Sequence, residues 1–127
     1  MRFDDMLHPT DKGLYCPPGD FYIDPVAPVP RALITHGHAD HARSGHGAVM
    51  ATRQTLDIMA IRYGERFTDS RQVASDDRIE VNGVGVTFRP AGHVLGSAQI
   101  GLDHRGMRIT VSGDYCRNPN PACTPWE

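Results

Sequence analysis

The 127-residue chain has no long apolar run, few cysteines and no marked excess of either charge. Its uninterrupted apolar stretches are far shorter than the roughly 20 residues a membrane-crossing helix needs, so no membrane partner is expected. Its three cysteines, Cys16, Cys116 and Cys123, are odd in number and unevenly placed. They form no complete disulfide framework and match no thiolate zinc site, which leaves them structural or incidental. Met1 to Asp5 opens with acids and shows no apolar stretch of a secretory signal, and with the cysteine usage this leads us to expect a cytoplasmic protein. A formal net charge of −2 supplies no overall electrostatic footprint for nucleic acid. Neither a Gly-x-Ser-x-Gly elbow nor a Ser-His-Asp arrangement is visible, so hydrolysis through a serine nucleophile has no support.

What the chain does have is the composition of one ordinary globular domain, 39% apolar and 22% charged. Leu14 to Cys16 and Phe21 to Ile23 flank Pro17-Pro18-Gly19-Asp20 and predict two antiparallel strands. After a link containing Pro25, Pro28 and Pro30, residues 32–35 predict a buried strand. Residues 39–44 predict a short helix ended by Gly45 and Gly47. A brief strand at Val49 to Ala51 precedes a helix from Arg53 to Tyr63, with Thr52 as N-cap and Gly64 just past its end. Leu56, Met59, Ala60 and Tyr63 share one face of that helix and read as core. Residues 79–81 and 84–89 around Asn82-Gly83 predict a hairpin; residues 97–103 and 107–112 around His104-Arg105-Gly106 predict a second. The proline-bearing tail, 118–127, reads as loop. The class is α/β, layered, with strands outnumbering helices.

Against that background His36-Gly37-His38-Ala39-Asp40-His41 stands out. It follows the 32–35 strand, and a strand's carboxyl end is where an α/β protein keeps its chemistry. Imidazoles and carboxylates suit Zn²⁺ and similar divalent ions, and a tight turn lets them converge. Chance supplies such a string in about two of a thousand chains of this composition. His93, in Pro90-Ala91-Gly92-His93, and Asp114, in Val111-Ser112-Gly113-Asp114, also follow strands and reach the same rim if all the strands end there. A pair of divalent ions would generate hydroxide from water at neutral pH and clamp both oxygens of a phosphodiester displacement. Its charge would be concentrated in one cleft, so the global charge is a poor guide to partners. Asp40 and His41 are the catalytic candidates, Asp40 because it can ligate an ion and also accept or steer a proton of the attacking water. His46, His8 and His104 read as solvated surface histidines. Arg43, Arg53 and Arg62 read as solvated arginines.

Taken together, His36-x-His38-x-Asp40-His41, His93 and Asp114 resemble the metal-ligand series of the metallo-β-lactamase superfamily. Asp24, in Tyr22-Ile23-Asp24-Pro25, resembles its first motif. Gly92-His93-Val94-Leu95-Gly96-Ser97-Ala98 is similar to the β-CASP branch, which processes nucleic acids. Residues 13–17, 19–25, 91–99 and 112–115 extend the likeness to the bacterial ligase-associated DNA exonucleases, over nearly the whole chain. Cys116 stands where that family carries lysine.

The resemblance implies an αβ/βα sandwich of which residues 1–127 hold the N-terminal half, with the β-CASP insert and C-terminal half absent. It implies two divalent metal ions, zinc or manganese. His36, His38 and His93 would bind one, Asp40 and His41 the other, with Asp114 bridging and Asp24 orienting a ligand imidazole. The activity it implies is exonuclease-like hydrolysis of DNA phosphodiester bonds in DNA repair or processing, alongside a DNA ligase and a helicase. Three other readings stay open: an RNA-processing β-CASP nuclease, a small-molecule hydrolase of the superfamily, and a non-catalytic metal-binding fragment.

Overall fold

Short alternating strands assemble into two sheets in this computed structural model, which describes residues 2–91 and 97–112 and the backbone of 123–125. The first sheet comprises β1 (His8–Thr10), β2 (Gly13–Cys16), β3 (Phe21–Ile23), β4 (Arg31–Leu33), β5 (Ala48–Ala51) and β6 (Ser70–Val73), in that spatial order. A four-residue helix, α1 (Phe3–Met6), precedes it, and α2 (Arg53–Tyr63) links β5 to β6. The second sheet runs β11 (Cys123–Pro125), β10 (Met107–Ser112), β9 (Ala98–His104), β8 (Val84–Pro90), β7 (Ile79–Val81). The α/β class expected from the sequence is the observed one.

Side-chain alternation along β4 and β5 explains the layering. Leu33 and Met50 join the apolar core shared with Val86, Phe88, Ile100 and Val111 of the second sheet. Their neighbours Ala32, Ile34, Val49 and Ala51 face the other way and pack with Leu56, Met59 and Ala60 of α2. The helix begins and ends where its sequence signals stand. Thr52 Oγ1 accepts the Thr55 N–H at 3.3 Å, and Gly64 closes the last turn at φ 99°.

Chain direction then decides where the chemistry sits. β3, β4, β5 and β6 are mutually parallel, so their carboxyl ends emerge on one rim. Ile23 pairs with Leu33, which brings Asp24 level with the end of β4, and the Asp24 N–H donates to the Leu33 carbonyl at 2.9 Å.

The second sheet is built from the expected hairpins. Asn82-Gly83 and Arg105-Gly106 both have positive φ at both residues, the mirror-image turn that matches strand twist. His104 pairs with Met107 and so belongs to β9, which shortens the second turn to two residues. Gly85 has no room for a side chain: a Cβ there would run into the Arg78 guanidinium and the Asp103 carboxylate, a bidentate pair at 2.8 and 3.0 Å.

Other expectations need correction. Residues 39–44 form a hydrogen-bonded turn and bends rather than a helix. Within the 118–127 tail, Cys123–Pro125 is a strand, because β10 offers it an antiparallel edge from Ile109 to Val111. The sequence reading passed over α1 and β1; β1 is recruited by pairing with β2, through Pro9 and Leu14, and carries no strong pattern of its own.

Candidate metal centre

Asp24 is the residue on which the site is built. It follows β3 directly, in the left-handed region at φ 46°, which aspartate tolerates better than most residues. Its Oδ1 accepts the Thr35 N–H at 2.8 Å. Its Oδ2 accepts the Thr35 hydroxyl at 2.5 Å and the His41 Nδ1–H at 2.8 Å. The Thr35 hydroxyl has one hydrogen, and it is donated to Asp24. It must therefore accept at His36, whose Nδ1 lies 2.9 Å away and carries a proton. One carboxylate and one hydroxyl thus put a proton on Nδ1 of both rings, and in the neutral rings the lone pair is at Nε2. The three side chains lie in a sheltered place: His36 is buried, and the side chains of His41 and Asp24 are 5% and 6% exposed.

The cluster turns on the His38 carbonyl, which accepts the N–H groups of His41 and Ala42 at 2.9 and 2.8 Å. Two contacts from α2 hold this turn down. The Tyr63 hydroxyl donates to the Ala42 carbonyl at 2.8 Å, and Ile58 sits where a Cβ on Gly37 would come within 3.0 Å of it. The rings converge as a result. The His36 centroid is 4.8 Å from that of His38 and 4.2 Å from that of His41. Asp40 Oδ2 lies 3.7 Å from His41 Nε2. His38 and Asp40 are exposed, while His36 and His41 form a buried floor.

Asp24, His36 and His41 place one donor atom each within 4.8 Å of one another, a separation a bound ion allows. Proton bookkeeping argues against reading them as three ligands of one ion. Both Asp24 oxygens already accept hydrogen bonds, and they sit on the Nδ1 side of His41, away from its lone pair. Imidazole nitrogens and a carboxylate are donors that suit a divalent cation, and His38 and Asp40 stand exposed next to His36 and His41 in this turn. A cavity of about 330 Å³ adjoins it, lined in part by Asp24, Asp40 and His41.

His93 and Asp114 lie outside the described residues, as do Gly92, Gly96 and Cys116. The chain on either side of His93 is anchored close to the cluster. The Ala91 N–H donates to the Ser97 carbonyl at 3.0 Å, and the Ala98 N–H to the Thr35 carbonyl at 2.8 Å. Sequence reasoning missed Thr35 as a functional residue, because a threonine at the end of a strand is ordinary. Its position immediately before the first histidine was the available signal.

His46 corrects a second expectation. It is buried, 3% exposed, rather than solvated. Its Nδ1 accepts the Val29 N–H at 3.2 Å, which puts the proton on Nε2, and Nε2 has no hydrogen-bond partner among the described residues. Burial lowers the basicity of this imidazole below the usual 6.5. The unfolded chain therefore binds a proton that the folded chain refuses, and stability falls as pH drops from 6.5 through the depressed folded value. Thermal unfolding followed from pH 7.5 to 5 is expected to show this slope, and His46→Leu is expected to flatten it. His8 and His104 are part-exposed and bond to the Asp4 and Gly83 carbonyls. Cys16 is buried in the core, and burial pushes its thiol up to about 11, so it stays protonated.

No protein-family model matches the chain. It is similar to a probable DNA ligase of Opitutus terrae, 31% identical over an alignment 124 positions long that covers 89% of this chain and 12% of the ligase. It is also similar to cleavage and polyadenylation specificity factor subunit 3-I of Arabidopsis thaliana, 30% identical over 91% of this chain and 21% of that protein. Endoribonuclease YSH1 of Saccharomyces cerevisiae is 31% identical over 92% of this chain and 20% of its own length. These relatives are named for cutting or joining nucleic acid. The chain spans 12 to 21% of their lengths. Among solved structures, Zn(2+)-bound PqqB from Methylobacterium extorquens aligns with 65% of this chain and 37% of its own, at a TM-score of 0.43 and 13% identity. That likeness is too low to define the fold.

Proposed function

We propose that this chain carries part of the active site of a metal-dependent nuclease of the metallo-β-lactamase/β-CASP type that hydrolyses DNA phosphodiester bonds. The observation that carries this reading is the hydrogen-bond chain from Asp24 to His41 and, through the Thr35 hydroxyl, to His36, which places a proton on Nδ1 of both rings. Fixing the proton on Nδ1 is how proteins present Nε2 to a metal. The position of Asp40 adds to it: its Oδ2 lies 3.7 Å from His41 Nε2, close enough for both to serve one cation.

In this reading His36, His38 and His93 would hold one ion and Asp40 and His41 a second, with Asp114 shared by the two. When bound, two such ions supply a nucleophile from water at neutral pH and neutralise the phosphate charge. Asp24 positions the His41 ring, and Thr35 positions that of His36. Asp40, exposed at the lip, accepts or steers a proton of the attacking water. Residues 1–127 then supply the N-terminal half of an αβ/βα sandwich. The working ion is zinc or manganese, and the setting is cytoplasmic DNA repair or processing, exonuclease-like, beside a ligase and a helicase. Similarity to a region of a probable DNA ligase supports DNA as substrate. A second reading, RNA cleavage, is favoured by the relatives named endoribonuclease and cleavage and polyadenylation specificity factor.

The test is incubation of the full-length protein with labelled single-stranded DNA, duplex DNA, RNA and a β-lactam, with and without a chelator. Chelator-sensitive cleavage of DNA is expected. Preferential cleavage of RNA selects the second reading, and turnover of the lactam alone overturns both.

A further inference from the structure

The outer face of the second sheet is polar. Val86 and Phe88 of β8, Ile100 and Leu102 of β9, and Ile109 and Val111 of β10 all point into the core. Alternation turns their neighbours outward, so Thr87, Arg89, Gln99, Asp103, Arg108 and Thr110 share the opposite face. Among the described residues no large apolar side chain joins them there. A covering layer of protein would be held by apolar burial, which this face does not offer. It suits water or a charged partner.

A cavity of about 350 Å³ opens in this face, with Arg78, Arg89, Arg108 and Thr87 in its lining. Gly101 also lines it and pairs with Thr87 on one side and Thr110 on the other, so bare backbone reaches the cavity. Glycine inside a strand often marks a place where a ligand approaches the backbone closely. Thr87 is an independent sign. It is only 8% exposed, yet its hydroxyl makes no hydrogen bond among the described residues. A buried hydroxyl left without a partner costs free energy unless a ligand or water meets it.

The charges favour an anion. Asp103 accepts from Arg78 Nε and Nη2 at 3.0 and 2.8 Å, and Glu80 accepts from its Nη1 at 3.3 Å, so Arg78 is held and neutralised. Arg108 is exposed and makes no hydrogen bond or ion pair among the described residues. Arg89 adds a second positive charge, and Asp76 is the acid that opposes them on the lip. The cavity also lies on a line from the metal turn. The Ala98 N–H donates to the Thr35 carbonyl at 2.8 Å, the next residue, Gln99, pairs with Arg89, and Gly101 lies about 10 Å along β9 from Ala98.

We infer that this face is a track for the phosphodiester backbone of the substrate, with one phosphate seated in the cavity against Arg108 and the Thr87 hydroxyl. Arg89 stands between that phosphate and the metal turn. The inference rests on the nuclease reading and extends it to a surface outside the metal centre. Phosphate contacts carry no base information, so the track serves DNA and RNA alike.

The experiment is binding of a labelled, mixed-sequence single-stranded oligonucleotide to the full-length protein over a salt series, read by fluorescence anisotropy. Chelator is present so that nothing is cleaved. Arg108→Gln is expected to weaken binding and to lower the slope of log affinity against log salt by about 0.7, the counterion release of one phosphate contact. Thr87→Val is expected to weaken binding about threefold with the slope unchanged. Asp76→Asn, which removes the opposing charge, is expected to strengthen it about twofold. Arg66→Gln, at an exposed arginine on the loop after α2, is expected to match wild type, and all unfolding midpoints are expected to agree. A wild-type slope in Arg108→Gln, or an equal loss in Arg66→Gln, would overturn the track and leave the nuclease reading intact. A lowered unfolding midpoint in Arg108→Gln would mean that another protein segment covers this arginine, and would overturn the track as well. A wild-type protein that neither binds nor cleaves nucleic acid would overturn the nuclease reading and the track with it.

Discussion

Replacing His41 with alanine is expected to abolish phosphodiester cleavage by the full-length protein and to weaken metal uptake severely. The ring is buried, its Nδ1 is bonded to Asp24 at 2.8 Å, and its Nε2 faces Asp40 at 3.7 Å. On the metal-centre reading, truncation removes a donor, and it leaves the Asp24 carboxylate short of one hydrogen bond. Losing the residue that merely supports a metal ligand costs about 10–100-fold in affinity or activity, so loss of the ligand itself is expected to exceed 100-fold. Isothermal titration with zinc and a cleavage assay read the two effects. His104→Ala, at a part-exposed histidine bonded to the Gly83 carbonyl in the second sheet, is the matched control. Near-wild-type zinc affinity in His41→Ala would remove the metal centre from consideration.

Asp24→Asn tests the proton arrangement itself. Asparagine tolerates the left-handed backbone at φ 46° and keeps the side-chain shape, so the fold is expected to survive. Its amide cannot replace a carboxylate that accepts from the Thr35 N–H, the Thr35 hydroxyl and His41 Nδ1 together. With an NH₂ group facing His41, that ring is driven to the opposite tautomer, and a proton moves onto Nε2. Metal affinity is expected to fall about 10–100-fold while the unfolding midpoint moves far less. Nitrogen-resolved NMR of the imidazoles would report the tautomer directly. An unchanged His41 tautomer together with unchanged affinity would show that Asp24 plays no orienting part.

Much of the architecture was legible from local signals, and the reasons are local too. Thr52 and Gly64 bracket α2 because capping involves residues three or four apart along the chain. Asn82-Gly83 predicts its hairpin because few residues accept positive φ twice in succession. The failures share a cause as well. β1 and β11 are short and weakly patterned, and each is a strand because a neighbouring edge accepts its backbone hydrogen bonds. Residues 39–44 carry helix-compatible side chains. The turn on the His38 carbonyl and the Tyr63 clamp on Ala42 hold them in another shape. From sequence His46 reads as a solvated surface histidine, and only packing against the Val29 segment shows it to be buried.

By itself the sequence determined the donor inventory: three histidines and an aspartate within six residues, at the end of a buried strand, in a chain with no rival constellation for hydrolysis. Tertiary structure decided how those donors are protonated and what adjoins them. Asp24 meets Thr35 and His41 across 11 and 17 residues of chain, a meeting set by the parallel register of β3 and β4. The apolar cavity beside Asp40 likewise depends on which residues pair across β1, β2 and β3. Ligand type is a property of side chains, whereas proton placement and cavity shape depend on pairing between distant segments. That pairing is settled by which faces bury their apolar rows, and no short window of sequence contains it.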